Sequence, residues 1–481
     1  MQVPPNIPDS ERKVGASPRA VRRRGNSLLG LIAVLFLAGC SDQTGPTPGE
    51  NTLDGILSHY LSEHGFTGSV GSSLEARLGR PINRPLADIG RNLWFDPISA
   101  LNDDNSCSGC HSPSNGFGDT QSIAIGIDNN NVVGPGRTGP RNQRRSPMVI
   151  NTAFYPTLMW NSRFRAVSGD PFDNSGGLEF PAPEALSLSH LPHLLTAQAF
   201  IPPTERVEAA GFDFHGSNDD MRAEVARRLN ASEAYRSLFA AVFPDIQAGG
   251  EITFTHTAHA IAEFEFTQVY ANAPIDRYAR GDVGALTAAE KRGAILFFGS
   301  AGCVKCHAVG GQSSEMFSDF EQHVAGIPAV MASVTNMTWD GPGGNEDFGL
   351  AQVTGNDADR YLFRTSPLRN VALQSAFMHN GAFVTLEAAI RYHLDATGSA
   401  ATWTPAALAP DLQGTPGPIA PVLARLDNLL KTPVVLTPAE FTDLVAFVRN
   451  GLLDPAALPA NLRTLIPAAL PSGRTLHSFQ F

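Results

Sequence analysis

Apolar positions along the chain recur with helical spacing in several segments, separated by loops that contain much of the glycine and proline. In residues 86–95, Leu86, Ile89 and Leu93 fall on one helical face, and Asp96-Pro97 forms a stop signal. Thr287-Ala-Ala-Glu290 has the form of a capping box and predicts a helix over 291–298. Few stretches alternate with period two, so the pattern predicts a mainly α, loop-rich fold with few or no strands. The other helical patterns cover residues 53–64, 188–200, 219–242, 255–270 and 437–450.

Two copies of one short motif stand out between these helices. Cys107-Ser-Gly-Cys110-His111 follows the helix predicted over 86–95, and Cys303-Val-Lys-Cys306-His307 follows the one predicted over 291–298. C-x-x-C-H is the attachment signature of c-type haem. Two thiols at this spacing can each bond a vinyl group of one porphyrin, and the next residue can then ligate the iron through its imidazole. The sequence therefore predicts two covalently bound haems c, with His111 and His307 as iron ligands.

Zinc and disulfides are the alternative interpretations of the cysteines. Paired C-x-x-C motifs also bind zinc, and each pair could form a disulfide. The histidine that follows each pair, and the repetition of the whole motif about two hundred residues apart, favour two separate haems.

Each half of the chain repeats one plan: an amphipathic helix, a turn, C-x-x-C-H, a long loop and a distal helix. We interpret this as internal duplication of a cytochrome c-like haem domain. The predicted boundaries are 56–272 for the N-terminal haem domain and 273–455 for the C-terminal one. Residues 456–481, rich in proline and alanine, form a tail.

The first 55 residues predict export. Arg22-Arg-Arg24 precedes a short apolar run and Leu37-Ala-Gly-Cys40, which gives a signal peptide over 1–39. Leu-Ala-Gly-Cys resembles a lipoprotein lipobox, which implies lipidation of Cys40, and the polar residues that follow, up to residue 55, read as a flexible tether. Bacterial c-type haems are attached outside the cytoplasm, so we expect a periplasmic lipoprotein held at the membrane through Cys40.

The net charge of -11 argues against a nucleic-acid partner. It suits a small basic electron donor. A homodimer is one arrangement that the sequence allows.

The sequence resembles the bacterial dihaem cytochrome c peroxidases and their MauG-type relatives over roughly residues 80–450. This resemblance implies a peroxidatic N-terminal haem and an electron-transfer C-terminal haem. Beyond the haem signatures, it rests on Leu93-Trp-Phe-Asp-Pro97, Ala260-Ile-Ala-Glu-Phe-Glu265, Asp276-Arg-Tyr278, Phe363-Arg-Thr-Ser-Pro-Leu-Arg-Asn-Val371 and Met378-His-Asn-Gly-Ala-Phe-Val-Thr-Leu-Glu387.

The resemblance also suggests roles around the first haem. Resting peroxidases of this family commonly place a loop histidine on the open face of this iron, but residues 112–189 here contain none. We therefore expect the iron held by His111 to keep an open face for peroxide. Glu184 is the candidate for proton transfer, with Glu179 second, and Trp160 matches the interhaem tryptophan.

The second haem should have two protein ligands. Counting from Thr385-Leu-Glu387, the family's distal ligand position falls on His393, with Met378 and His379 as alternatives. The resemblance also implies an interface calcium, and Thr365-Ser-Pro367 matches part of that site. Arg145 stands where the family has its asparagine ligand, and a guanidinium cannot ligate a cation, so calcium binding is doubtful.

These expectations define a dihaem peroxidase that reduces hydrogen peroxide with electrons from a small c-type cytochrome or cupredoxin. The alternatives are a MauG-type oxidase that modifies a protein or organic substrate, and a plain dihaem electron-transfer protein.

Overall fold

The chain folds into short helices joined by long loops. The computed structural model describes residues 52–179, 188 and 190–481. Up to residue 272 the helices are α1 (Leu53–Glu63), α2 (Leu74–Leu78), α3 (Arg84–Phe95), α4 (Cys107–Cys110), α5 (Leu194–Gln198), α6 (Asn218–Ala231), α7 (Glu233–Ala240), α8 (Pro244–Gln247) and α9 (Phe254–Phe266). From residue 273 they are α10 (Pro274–Ala279), α11 (Ala288–Phe298), α12 (Ala351–Thr354), α13 (Leu386–Leu394), α14 (Ala396–Thr402), α15 (Ala420–Leu423), α16 (Pro438–Ala446) and α17 (Pro459–Leu462).

The described strands are two or three residues long, which confirms the mainly α, loop-rich prediction. The strands are β1 (Val132–Val133), β2 (Thr157–Leu158), β3 (Phe164–Ala166), β4 (Leu178–Glu179), β5 (Gln322–His323), β6 (Phe363–Arg364) and β7 (Ser478–Phe479). Strand β1 pairs with β7 in parallel. Strands β2, β3 and β4 form an antiparallel sheet, and β5 pairs with β6 antiparallel.

Each half is built around one close helix crossing. Helix α3 packs on α9, and α11 packs on α16. At Gly90 in α3 an added Cβ would overlap the carbonyl oxygen of Ala260, and at Gly293 in α11 it would overlap that of Asp443. Glycine is required at both points because the two backbones touch. In each half the first helix of the crossing leads into the C-x-x-C-H turn, as expected of a duplicated unit.

Each helix crossing lies in a hydrophobic core of its own. The N-terminal end of the described chain packs in the core of the C-terminal half, and the C-terminal tail packs in the core of the N-terminal half. The first core contains Trp94, Phe117 and Phe264, and the second contains Phe297 and Phe447. Leu57 and Leu61 of α1 pack in the second core, whereas Leu462 and Leu470 of the tail pack in the first.

The tail of the chain continues across the N-terminal half. The hydroxyl of Ser472 donates to Asp96 at 2.8 Å, and β7 then pairs with β1. Within the described residues, no helix combines the length and apolarity needed to cross a membrane.

Candidate haem sites

The two C-x-x-C-H motifs form the same turn. The amide of His111 donates to the carbonyl of Cys107 at 2.9 Å, and the amide of His307 donates to that of Cys303 at 2.9 Å. One turn of chain thus brings two thiols and one imidazole together in each motif. All four thiols are free, and burial raises the pKa of Cys107 and Cys303 to about 12.

The histidines of the motifs are fixed in one tautomer. The Nδ1 of His111 lies 3.0 Å from the carbonyl oxygen of Pro147 and 3.2 Å from that of Phe117. The Nδ1 of His307 lies 3.0 Å from the carbonyl oxygen of Phe317. A carbonyl can only accept, so Nδ1 carries the proton and Nε2 keeps the lone pair that a metal needs. Burial lowers the pKa of both imidazoles to about 4, which keeps them neutral at pH 7.

A cavity of about 460 Å³ opens beside the second motif. Its volume is in the range of cofactor sites. Cys303, Cys306 and His307 lie in its wall, together with His393 of α13. Apolar side chains complete the wall, among them Phe297, Leu386, Ile390 and Leu444.

Inside this cavity the rings of His307 and His393 lie close together, with 63° between their planes. Their centroids are 6.3 Å apart. If both imidazoles bound one metal ion, their centroids would be separated by two metal–nitrogen bonds of about 2 Å each and by the distance from ring centre to nitrogen in each ring. That sum is close to the observed distance between the centroids. The Nδ1 of His393 lies 2.9 Å from the carbonyl oxygen of Ala389, which again leaves Nε2 with the lone pair. The residues therefore fit a haem whose iron takes one imidazole from each side.

The alternative ligands, Met378 and His379, also border this cavity. His379 is held elsewhere, because its ring stacks on Phe363 at 3.7 Å between centroids and its Nε2 lies 3.9 Å from Asp347. Of these residues, it is His393 whose ring lies close to that of His307.

The surroundings of the first motif also suit a porphyrin. Trp94 lies 5.8 Å from the His111 ring, and Trp94 also contacts Phe117 and Phe264. In the part of the chain that the structure describes, the two cysteine pairs do not meet in a common cluster of metal ligands. This arrangement fits two separate cofactors better than one four-thiolate zinc site.

Trp160 contacts both the second cavity and the backbone of a segment that reaches the first motif. Its ring borders the 460 Å³ cavity, and its Nε1 donates to the carbonyl of Arg145 at 2.8 Å. Two residues further on, the carbonyl of Pro147 accepts from His111. One short backbone segment, 145–147, therefore joins the Trp160 side chain at the second cavity to the imidazole of His111.

Several predicted residues lie outside the described part of the chain. These are Glu184, Cys40 and the signal peptide. The second-choice carboxylate, Glu179, is described: its side chain is 52% exposed and pairs with Arg165 at 2.5 Å. Such a solvated ion pair is typical of a surface residue.

Sequence reasoning missed Glu208. It lies on a π-helical turn, Arg206–Ala210, whose backbone holds Asn105 close to the first motif: the Asn105 amide donates to the Glu208 carbonyl at 2.7 Å. Burial and the neighbouring Glu205 raise the pKa of Glu208 to about 7, and its charge acts on both Cys107 and Cys110. Single π-turns are frequent at functional sites.

A second acid was missed on helix α9. Glu265 is buried, and burial raises its pKa to about 8. Its charge also acts on Cys107, and its Oε2 has no hydrogen-bond partner among the described groups. Two protonatable carboxyls thus accompany the first motif. No pattern in the sequence marks Glu208, because the glutamate that follows Pro202-Pro203-Thr204 is Glu205.

Arg145 occupies a ring of oxygen atoms. Its buried guanidinium donates to the carbonyls of Gln121 at 2.8 Å and Asp119 at 2.9 Å, and to the Gln374 side-chain oxygen at 2.5 Å. Oxygen ligands of this kind are also those that Ca²⁺ prefers. The carbonyl of Thr365, another expected calcium ligand, accepts from Ser318 at 2.8 Å. The residues present therefore do not suit calcium.

One further titratable cluster borders the second cavity. His323 lies between two carboxylates, with Nε2 2.9 Å from Asp319 and Nδ1 2.7 Å from Asp427. Hydrogen bonding to Asp319, and then to Cys306 and Asp427, raises the pKa of His323 to about 11. This imidazole is therefore a cation at neutral pH.

Comparison with known proteins agrees with this geometry. The family model described as di-haem cytochrome c peroxidase matches residues 84–284. The methylamine utilization protein MauG of Methylorubrum extorquens is 28% identical over 67% of this chain and 75% of its own length. The cytochrome c551 peroxidase of Nitrosomonas europaea is 29% identical over 64% of this chain and 73% of its own. A crystal structure of a MauG-like protein associated with microbial copper homeostasis has a TM-score of 0.55 at 26% identity, covering 79% of this chain and 92% of that one.

The resemblance predicted from the sequence is thereby confirmed: the chain is similar to the bacterial di-haem cytochrome c peroxidases and MauG proteins. The family is one of oxidoreductases, which confirms the predicted enzyme class. A di-haem family also implies two haem c cofactors. The names of the relatives divide between peroxidase and MauG.

Proposed function

We propose that this protein reduces hydrogen peroxide to water with electrons from a small redox protein. The observation that carries the proposal is the unequal provision of ligands. His307 lies close to His393 in the second cavity, whereas the loop that follows His111 offers no histidine from residue 112 to 189. Nor does His193 supply one, because its Nε2 lies 3.0 Å from the Ala153 carbonyl and its Nδ1 accepts from Leu195.

The cofactors are two haems c, attached by thioethers to Cys107 and Cys110 and to Cys303 and Cys306. When bound, the haems supply redox-active iron. The protein holds them in two haem domains, residues 56–272 and 273–455. It contributes His111 to the first iron, and His307 with His393 to the second.

A carboxylate handles the protons of peroxide at the first site. It must take a proton from one peroxide oxygen and return it to the leaving one. Glu184 is the prediction from sequence. Glu208 is the candidate that the described structure supports, because it lies near both cysteines of the first motif and its pKa of about 7 suits proton exchange near neutral pH.

Trp160 carries electrons between the two sites. Its ring borders the second cavity, and its hydrogen bond to residue 145 places it next to the segment that also binds His111.

The donor is a small cytochrome c or a cupredoxin, and the protein works in the periplasm, tethered through lipid on Cys40. The covalent attachment of haem requires export, and the leader sequence provides for it.

Arg145 replaces the interface calcium. Its guanidinium satisfies oxygens from the loop at 119–121 and from Gln374 in the C-terminal half, and so supplies the positive charge that joins them.

The second candidate function is that of a MauG-type oxidase acting on a protein or organic substrate. Two observations support it. The sequence identity is 28% to MauG and 29% to the peroxidase, so identity does not favour either. In addition, residues 112–189 contain no histidine that could close the open face of the first iron.

Peroxide turnover by the holoprotein distinguishes the candidates. With reduced donor and limiting peroxide, a peroxidase should oxidise the donor in proportion to the peroxide added. The donor should supply both of the electrons that each peroxide molecule takes up. Peroxide consumption without matching donor oxidation would contradict the peroxidase proposal and favour the oxidase.

A further inference from the structure

One glutamine of the C-terminal half reaches the loop that follows the first motif. The side chain of Gln374 borders the second cavity, and its Nε2 donates to the carbonyl of Asn115 at 2.6 Å. The same carbonyl accepts from the amide of Gly118 at 3.0 Å, so it belongs to a closed turn directly after His111. A side chain at the second site therefore holds the backbone next to the ligand of the first.

The turn leaves room for this side chain. A Cβ added at Gly118 would lie 2.7 Å from the side-chain oxygen of Gln374 and 2.8 Å from its nitrogen. The φ of Gly118 lies outside the left-handed region, so the close approach of Gln374, and not the backbone conformation, calls for glycine here.

The turn that Gln374 holds carries a hydrogen-bond acceptor of His111. The Nδ1 of His111 lies 3.2 Å from the carbonyl oxygen of Phe117. Phe117 stands in the chain between Asn115 and Gly118, the two residues that the Gln374 amide contacts. Fixing the turn therefore limits how far the Phe117 carbonyl can move away from the imidazole.

The other end of the same amide holds the second acceptor segment. The Oε1 of Gln374 accepts from the guanidinium of Arg145 at 2.5 Å. Pro147 follows Arg145 closely in the chain, and its carbonyl oxygen lies 3.0 Å from the Nδ1 of His111. An amide carries a donor and an acceptor on one planar group, so it can join both segments at once.

We infer that Gln374 is a positioning residue for His111: it holds the Phe117 and Pro147 carbonyls against Nδ1 and so sets how strongly the imidazole donates to the first iron. This inference rests on the proposed role of His111 as an iron ligand. A hydrogen bond from Nδ1 raises the basicity of a ligating imidazole, and such bonds tune the potential of haem iron. A residue of the C-terminal half thus sets the redox behaviour of the first haem.

Two variants remove the amide from the turn by different means. Gln374→Met keeps the length of the side chain and loses both hydrogen bonds, whereas Gly118→Ala displaces the unaltered amide. In each variant the weaker bond at Nδ1 should destabilise the ferric form. We expect the ferrous-to-ferric ratio of the first haem at a fixed potential to rise about tenfold, the lower end of second-shell effects, or about 59 mV. Potentiometric titration of the holoprotein measures this ratio.

Resonance Raman spectroscopy of the reduced holoprotein gives a second readout. The iron–histidine stretching band of the first haem should move to lower frequency in both variants, because a less basic imidazole binds iron more weakly. Gln374→Glu should lower it as well, since an ionised carboxylate can accept from Arg145 but cannot donate to Asn115. The new charge would itself move the potential, so this third variant is judged on the band alone.

The matched control is Gln352→Met. Gln352 accepts from Arg144 at 2.6 Å, so it makes the same kind of bond to the same segment of chain. Its Nε2 donates to Asp340 at 2.7 Å and to Gln143 at 3.3 Å, away from the turn after the first motif. This variant should change neither the potential nor the band.

The outcomes are decisive in both directions. An unchanged potential and band in both Gln374→Met and Gly118→Ala, or an equal shift in Gln352→Met, would overturn the inference. An unchanged band in Gln374→Glu would overturn the link through Asn115. Neither readout uses peroxide or a protein donor, so a failure of peroxide turnover would reject the proposed function and leave the role of Gln374 standing.

Discussion

The chemistry of the protein depends first on three imidazoles in one protonation state. His111, His307 and His393 each point Nδ1 at a backbone carbonyl, and burial lowers the pKa of His111 and His307 to about 4. A protonated imidazole could not bind iron, so these lowered pKa values keep His111 and His307 competent as ligands well below neutral pH. Desolvation also lowers the pKa of His393.

Replacement of His393 tests the ligand assignment. His393→Gly should convert the second iron from low spin to high spin, and His393→Met should raise its reduction potential, because methionine ligation raises the potential of haem iron. Electron paramagnetic resonance and potentiometric titration measure these changes. The matched control is His379→Gln. If that change, rather than the one at 393, alters the spin state, the ligand is His379.

The proton-transfer group is tested by paired amide variants. Glu208→Gln should lower kcat/KM for peroxide by about 10²–10⁴-fold, the usual contribution of a positioned acid–base group, with both haems retained. Because a carboxyl must be ionised to accept a proton, kcat/KM of the unaltered protein should rise with pH, with a midpoint near the Glu208 pKa of about 7.

Glu184→Gln is the companion variant. If it abolishes turnover while Glu208→Gln does not, the sequence prediction is right and the assignment to Glu208 is wrong. A pH profile that stays flat over about one unit either side of the expected midpoint would also contradict Glu208.

At the residue scale, the sequence predicted the side chains whose positions are fixed by their spacing from a motif. The motif dictates the places of Cys107, Cys110 and His111, and the count from Thr385-Leu-Glu387 led to His393, which lies in α13. Glu208 was not predictable in this way, because its function depends on burial beside residues about a hundred positions earlier, and no periodicity marks a π-turn. Glu184 stays a prediction.

The helix crossings are the elements that position each haem motif. Gly90→Ala or Gly293→Ala should lower the free energy of unfolding by about 1–3 kcal/mol, because the new methyl group has no room beside the partner backbone. Urea denaturation followed by circular dichroism measures the loss. Gly284→Ala is the control, since only the Asp282 side chain lies within reach of its Cβ. Equal stability of all three variants would contradict the crossing.

The interface around Arg145 gives a prediction for the loops. Arg145→Ala leaves buried carbonyls unpaired and should destabilise the protein by about 2–5 kcal/mol, whereas chelation by EDTA should change nothing in the unaltered protein. Thermal unfolding of the holoprotein with and without EDTA tests both. Arg165→Ala, which removes an exposed pair, should cost less than about 1 kcal/mol. A loss of stability in EDTA would contradict the absence of calcium.

At the scale of elements, the sequence predicted helices well where their caps are local. The capping box at Thr287 opens α11 as expected. The pattern over 219–242 divides in two because Ser232 caps a second helix, and the pattern over 188–200 shrinks to α5 because Pro192 precedes the helix and His193 caps it. Apolar periodicity alone could not reveal these interruptions.

At the scale of the molecule, the ends of the chain bind the halves together. Helix α1 packs in the second core, and the tail from residue 456 packs in the first and adds β7 to β1. The sequence predicted a tail over 456–481 but no partner for it, because pairing between residues about 350 positions apart leaves no local signal. This exchange of ends favours a fixed distance between the two C-x-x-C-H motifs, which the proposed electron transfer between two haems would require.

The central claim is that the two irons differ, with one face open at the first and both faces occupied at the second. The most direct test is the electron paramagnetic resonance spectrum of the oxidised holoprotein, recorded before and after addition of peroxide. We predict one high-spin and one low-spin ferric signal, with only the high-spin signal lost at once when peroxide is added. Two low-spin signals that peroxide leaves unchanged would contradict the account.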